Sequence, residues 1–153
     1  MTRSTRNFTV KPATIDDVPT LVENMLDKGL ESFDRYGMNP VLSIALDFLL
    51  DDSYIVYGPT GELFFAYGIR PDGEFWVQMT HNVQKYPIAF LRAGKQMLEQ
   101  LTHPLLWSHI DITNKPLLDL AKYLGFKVLR VFPDGPFNTY SVEIVRLWYC
   151  QQS

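Results

Sequence analysis

The stretch LLWSHIDI, from Leu105 to Ile112, sets Ser108, His109 and Asp111 within four residues of one another. Those are the residue types of a hydrolase triad, in which imidazole takes the hydroxyl proton and a carboxylate orients the imidazole. The apolar pattern here is that of a strand, whose successive side chains leave from opposite faces. Ser108 therefore points away from His109 and Asp111, and the triad fails on geometry. The three histidines, His81, His103 and His109, have no metal-ligand spacing, so no metal is expected. Cys150 is the single cysteine, which excludes an internal disulfide, reads as an incidental thiol and suggests a reducing compartment. No Walker loop, G-x-G-x-x-G or G-x-S-x-G occurs.

Residues that could do chemistry must be held by a scaffold, and composition bounds it. With 153 residues, 46% hydrophobic and 20% charged, the chain reads as one domain over residues 1–153 with a real core. A formal charge of −3 and a pI near 5.5 give no general attraction for nucleic acid or anionic lipid. The longest apolar run, VLSIALDFLL from Val41, is broken by Ser43 and Asp47 and falls short of the roughly 20 residues of a membrane span. The opening MTRSTRNF has no apolar core of a secretory signal.

FTVKPAT, from Phe8 to Thr14, alternates as a short strand, and Thr14 with Asp17 three places later predicts a capped helix that Gly29 ends or bends. Asn39-Pro40 predicts a second helix, running through Phe48 and stopping near Asp51-Asp52. SYIVYG, GELFFAYGIR and EFWVQMT, separated by PTG and PDG, predict an antiparallel meander. Its aromatics Phe64, Phe65, Tyr67, Phe75 and Trp76 read as core rather than as a groove. Helical periodicity returns from Pro87 to Leu101, and LLWSHIDI follows as a strand. NKPLLDLAKYLG is then a helix with Leu117, Leu120, Ala121 and Leu124 on one face and Gly125 as its stop. FKVLRVF and NTYSVEIVRLW close the chain as two strands. The order β-α-α-β-β-β-α-β-α-β-β is an α+β layout.

This order, with NKPLLDLAKYLGF from Asn114 to Phe126, resembles the GNAT (Gcn5-related N-acetyltransferase) family over nearly the whole chain. The family's segment N-x-x-A-x-x-L-Y-x-x-L-G-F finds Asn114, Leu120, Leu124, Gly125 and Phe126 on its marked places. The resemblance implies a mixed, mostly antiparallel seven-strand sheet flanked by about four helices. The strands at Phe75 to Thr80 and Leu106 to Ile112 should lie parallel, because a crossover helix joins them.

The resemblance also says which residues to look for. The family's tyrosine, which protonates the departing thiolate, falls at Ala121, which has no proton to give. Tyr123 lies about 200° further round the helix and reads as a surface-leaning aromatic. The family's cofactor loop, Q/R-x-x-G-x-G/A, matches residues 84–89, Gln-Lys-Tyr-Pro-Ile-Ala, with Gln84 and Ala89 on pattern. Pro87 stands where a glycine should be, removing an N–H donor, and Tyr86 adds bulk. If acetyl-CoA binds, Gln84, Lys85, Ala89 and Asn114 are the residues expected at it. If the chain is active, Glu74 and Asp111 are the carboxylates to act as base, although each also reads as a polar neighbour of a turn or strand end.

These departures are shared with a phage-encoded GNAT-like group that includes internal virion protein A of short-tailed phages. That resemblance implies a catalytically degenerate protein in the virion or host cytoplasm, with a virion or host protein as partner and no cofactor. Trp76, Trp107 and Trp148 are aromatics of the kind interfaces favour. The alternative is an active acetyl-CoA-dependent N-acetyltransferase acting on an amine.

Overall fold

A computed structural model describes residues 3–4, 8–134 and 137–145, with side chains over 8–131. The chain divides into two compact units, Met1–Arg70 with Trp76–Ala93, and Pro71–Phe75 with Gly94–Ser153. Strands β1 (Arg3–Ser4), β2 (Thr9–Pro12), β3 (Asp52–Tyr57), β4 (Leu63–Ile69) and β5 (Phe75–Met79) form one sheet in that order. The β1–β2, β2–β3 and β3–β4 pairings are antiparallel, as a meander requires. Every residue of β4 is buried, which is why LFFAYGI is continuously apolar rather than alternating.

Three helices precede β3: α1 (Val18–Asn24), α2 (Asp27–Arg35) and α3 (Pro40–Leu50). Val18, Leu21 and Met25 pack with Ile44 and Phe48 against Ile55, Leu63 and Ala66, forming the core of the first unit. After β5 come α4 (Asn82–Lys85) and α5 (Pro87–Gln100). The Phe90 ring of α5 meets Phe65 edge-on at 5.8 Å.

In the second unit, β6 (Leu105–Asp111), α6 (Lys115–Tyr123), β7 (Lys127–Asp134) and β8 (Phe137–Val145) build an antiparallel sheet of order β6-β8-β7. Leu106, Ile110, Leu120, Leu124 and Phe126 are buried there, and Phe75 packs on Phe126 at 5.1 Å. Gly73 takes φ +93°, a conformation that favours glycine, and its carbonyl accepts from Trp107 N at 3.1 Å. Glu74 and Trp107 then form a parallel bridge, the direction expected of these two strands.

Several expectations are corrected. The strands are not one seven-strand sheet but ladders of five and three, with the extra short β1. The helices among the described residues are α1 to α6, not about four, because the segment read as one helix after Thr14 breaks in two and the stretch after β5 forms a further short helix, α4. Gly29 lies inside α2 and ends nothing. The break falls at Met25 and Leu26, where Leu26 N donates to Met79 O at 3.0 Å and Met25 bridges Thr80. A pairing distant in sequence extends the backbone there, against local helical propensity. The Thr14–Asp17 signal is real but opens a 3₁₀ turn, Ile15–Asp17, in which the Asp17 carboxylate accepts from Thr14 N at 2.9 Å. The Asn39 signal holds as read, its Oδ1 accepting from Val41 N and Leu42 N at 2.9 and 3.2 Å. No helix among the described residues is long and apolar enough to cross a membrane.

Candidate functional site

The segment between β5 and α5 is built from its buried end outward. Thr80 is wholly buried, and its Oγ1 lies 2.5 and 3.0 Å from the carbonyl oxygens of Leu63 and Phe64, with one proton to give. The same oxygen accepts from Asn82 N at 3.3 Å, while Asn82 Nδ2 donates to Leu63 O at 3.0 Å. Two polar side chains thus tie the start of α4 to the edge of β4. Neither stood out in the sequence, since an isolated Thr and Asn after a strand carry no periodic signal.

From that anchor the backbone coils back on itself. Val83 N donates to Thr80 O, Gln84 N to His81 O and Tyr86 N to Asn82 O, so these donors are spent inside the turn. Pro87 is the first residue of α5 and has no N–H. The first helical bond of α5 runs from Phe90 N to Tyr86 O at 2.9 Å. The amides left over in that first turn are those of Ile88 and Ala89, since the opening N–H groups of a helix have no intrahelical acceptor. Gln84, Lys85, Tyr86, Pro87 and Ile88 are exposed and Ala89 is half-buried. Two outward amides, the positive end of a helix dipole and the Lys85 ammonium make a turn suited to anionic oxygens. It offers fewer donors than a glycine-rich loop would, and Tyr86 stands beside it.

The residues in the second unit are engaged locally. Asn114 is the N-cap of α6, its side chain accepting from Leu117 N at 3.4 Å. Ala121 is 3% exposed and lies on the inward face of α6 with Leu120 and Leu124. Tyr123 stands on the outer face, with Lys95 Nζ 5.6 Å from its ring centroid. Asp111 Oδ1 accepts from the backbone N–H and the hydroxyl of Thr113, at 2.8 and 2.7 Å, shaping the turn into α6. His109 is exposed and meets Trp107 edge-on at 5.4 Å. Ser108 pairs with Val142 and His109 with Ser141, so the two alternate across the ladder as a strand demands. Glu74 directly precedes β5, and its N–H donates to Asp72 Oδ1 at 2.9 Å.

The remaining aromatics are mostly structural. Phe64, Phe65, Tyr67 and Phe75 are buried. Trp76 Nε1 donates to Asp51 Oδ2 at 2.8 Å, and Trp107 Nε1 to Asp72 O at 3.2 Å. Trp148 and Cys150 lie outside the described residues. Among the described residues no three His, Cys, Asp or Glu side chains gather as metal ligands.

No protein-family model matches the chain, and no curated protein does. Solved structures do match it. An acetyltransferase of the GNAT family from Bacillus anthracis superposes with a TM-score of 0.70 at 10% identity, over 96% of this chain and 99% of that one. A ribosomal alpha-N-protein acetyltransferase in complex with coenzyme A gives 0.66 at 10% identity, over 94% and 96%. A variant of spermidine N-acetyltransferase from Vibrio cholerae gives 0.60 at 15% identity, over 95% and 97%. The fold is that of the GNAT acetyltransferases. Coverage near the full length of both partners makes this a likeness of the complete fold rather than of a shared helix and strand, and identity this low carries fold alone.

Proposed function

We propose that this chain is an acyl-coenzyme A-dependent N-acyltransferase that binds its cofactor weakly and returns the thiolate proton from water. The observation that carries the reading is the first turn of α5, where Ile88 and Ala89 present unpaired amides beside Lys85 on a segment anchored by Thr80 and Asn82. A GNAT fold supplies the context, since solved proteins sharing it are acetyltransferases and one is in complex with coenzyme A. When bound, the cofactor would supply a thioester carbonyl open to attack by an amine. Ile88 N–H, Ala89 N–H and the Lys85 ammonium would hold phosphate oxygens. Pro87 withholds a donor. Ala121 offers no acid, so solvent water has to supply that proton.

Calorimetry with acetyl-CoA tests this. The expected result is binding weaker than about 10 µM, tightened on the order of tenfold by Pro87→Gly, as one added N–H donor to a charged oxygen allows. Lys85→Ala should weaken it. No binding by either the parent protein or Pro87→Gly would overturn the proposal.

A second reading is association without turnover, as a degenerate virion-associated or host-interaction protein. It is favoured by the burial of Ala121 and by the turn-building roles of Asp111 and Asn114. Absence of acyl transfer to every amine tested, together with recovery of the protein from purified phage particles, would put this reading first. Acyl transfer that Glu74→Gln abolishes would remove it.

A further inference from the structure

Helix α3 is apolar on both sides. Ile44 and Phe48 face the core, while Val41, Leu42, Leu46, Leu49 and Leu50 face solvent. A helix hydrophobic all round belongs in an interior. The four leucines are 56–78% exposed and recur at helical spacings of four, three and one, forming one continuous stripe. They put on the order of 500 Å² of apolar side chain in water, as much as the largest patch of an ordinary monomer. Met38 and Val41, 49% and 42% exposed, widen the patch towards the ~800 Å² that each partner of a standard interface buries.

We infer that this stripe is a homodimer contact in which the α3 helices of two copies pack antiparallel about a two-fold axis near Leu46. Charge decides for a second copy over a lipid surface. The only charged residue of α3 is Asp47, held by Arg70 at 3.5 Å, and Asp51 and Asp52 follow its C-terminus. An interfacial membrane helix carries lysine and arginine along its polar face, and this one carries none. In an antiparallel pair the positive N-terminal end of each α3, at Asn39, lies beside the exposed Asp52 of the other, so dipole and carboxylate attract. The stripe itself is uncharged and self-complementary: Leu42 of one copy meets Leu50 of the other, and Leu46 meets its own counterpart.

Sedimentation equilibrium of the full chain tests the inference, with Leu46→Glu and Leu50→Lys as separate variants and circular dichroism checking their fold. Both side chains are already in water in the single copy, so the variants should fold. The expected result is a species of twice 17.7 kDa for the parent protein. Either variant should weaken self-association by on the order of 100-fold, because a desolvated charge would sit at the axis in Leu46→Glu and against Leu42 of the other copy in Leu50→Lys. As a second readout, Leu46→Cys in a Cys150→Ser background should oxidise to a covalent dimer, and Glu31→Cys in that background should not. A monomer at all concentrations would overturn the inference, and so would a dimer indifferent to both charged variants.

Discussion

Gly68→Ala probes how tightly the first unit is packed. Gly68 does not have positive φ, so its backbone does not need glycine; space does. A Cβ there would lie 2.7 Å from Trp76 Nε1 and closer still to Cε2 and Cζ2 of the indole. That ring is fixed on its other sides: Nε1 donates to Asp51 Oδ2 at 2.8 Å, Phe48 stacks on it at 5.9 Å, and Asp51 is held by Arg70 Nε at 3.3 Å. Overpacking costs ~1–3 kcal/mol. Displacing the ring also loosens a charge-assisted hydrogen bond worth ~1.5–3 kcal/mol and an aromatic contact worth ~0.5–1.5 kcal/mol. These terms overlap, since a ring that moves relieves the clash by giving up the bonds. A net loss of about 3 kcal/mol, and hence a Tm lowered by roughly 6–12 °C, is expected for a chain of this size. Thermal and urea unfolding would measure it. The decisive comparison repeats Gly68→Ala in a Trp76→Leu background, where the indole is gone and the alanine should cost less than about 0.5 kcal/mol. Equal costs in both backgrounds would mean no coupling between the two sites and would refute the reasoning.

Three further outcomes are expected. Burial pushes the Asp17 carboxyl up, but hydrogen bonds from Lys11 at 2.8 Å and from the Thr14 N–H outweigh it and hold its pKa below the ordinary 3.8. A depressed carboxyl stabilises the fold above its unfolded pKa and stops doing so as pH falls through the folded one. Asp17→Asn should therefore be less stable than the parent protein at neutral pH, with the difference shrinking below pH 3.8 in a pH series of unfolding curves. Asn114→Ala should cost about 1 kcal/mol of stability, through loss of the α6 N-cap, and leave acetyl-CoA binding unchanged in calorimetry. Ala121→Tyr should lower the Tm by several degrees, at ~1–3 kcal/mol of overpacking, and an unchanged Tm would mean that the position opens to solvent.

The sequence by itself determined what is local. The Asn39 and Asn114 caps, the Gly61, Gly73 and Gly125 stops with positive φ, and the meander all follow from residues within a few places of one another. Capping and turn chemistry act over one turn of backbone, so their signals survive in the string. The inward face of α6, Ala121 included, was legible for the same reason. Tertiary structure decided the rest. It split the first helix at Met25, because Met79 and Thr80 supply the partners that extend the chain there. It divided the strands into two ladders, and it spent the Asp111 carboxylate on Thr113. It made Thr80 and Asn82 the anchor of the α5 turn by bringing the start of β4 against them, across 17 and 19 positions of sequence. It also left the leucines of α3 in water. An apolar run in the string tells only that burial is favourable, and which of its faces finds a partner within the chain depends on the area the rest of the fold has to offer.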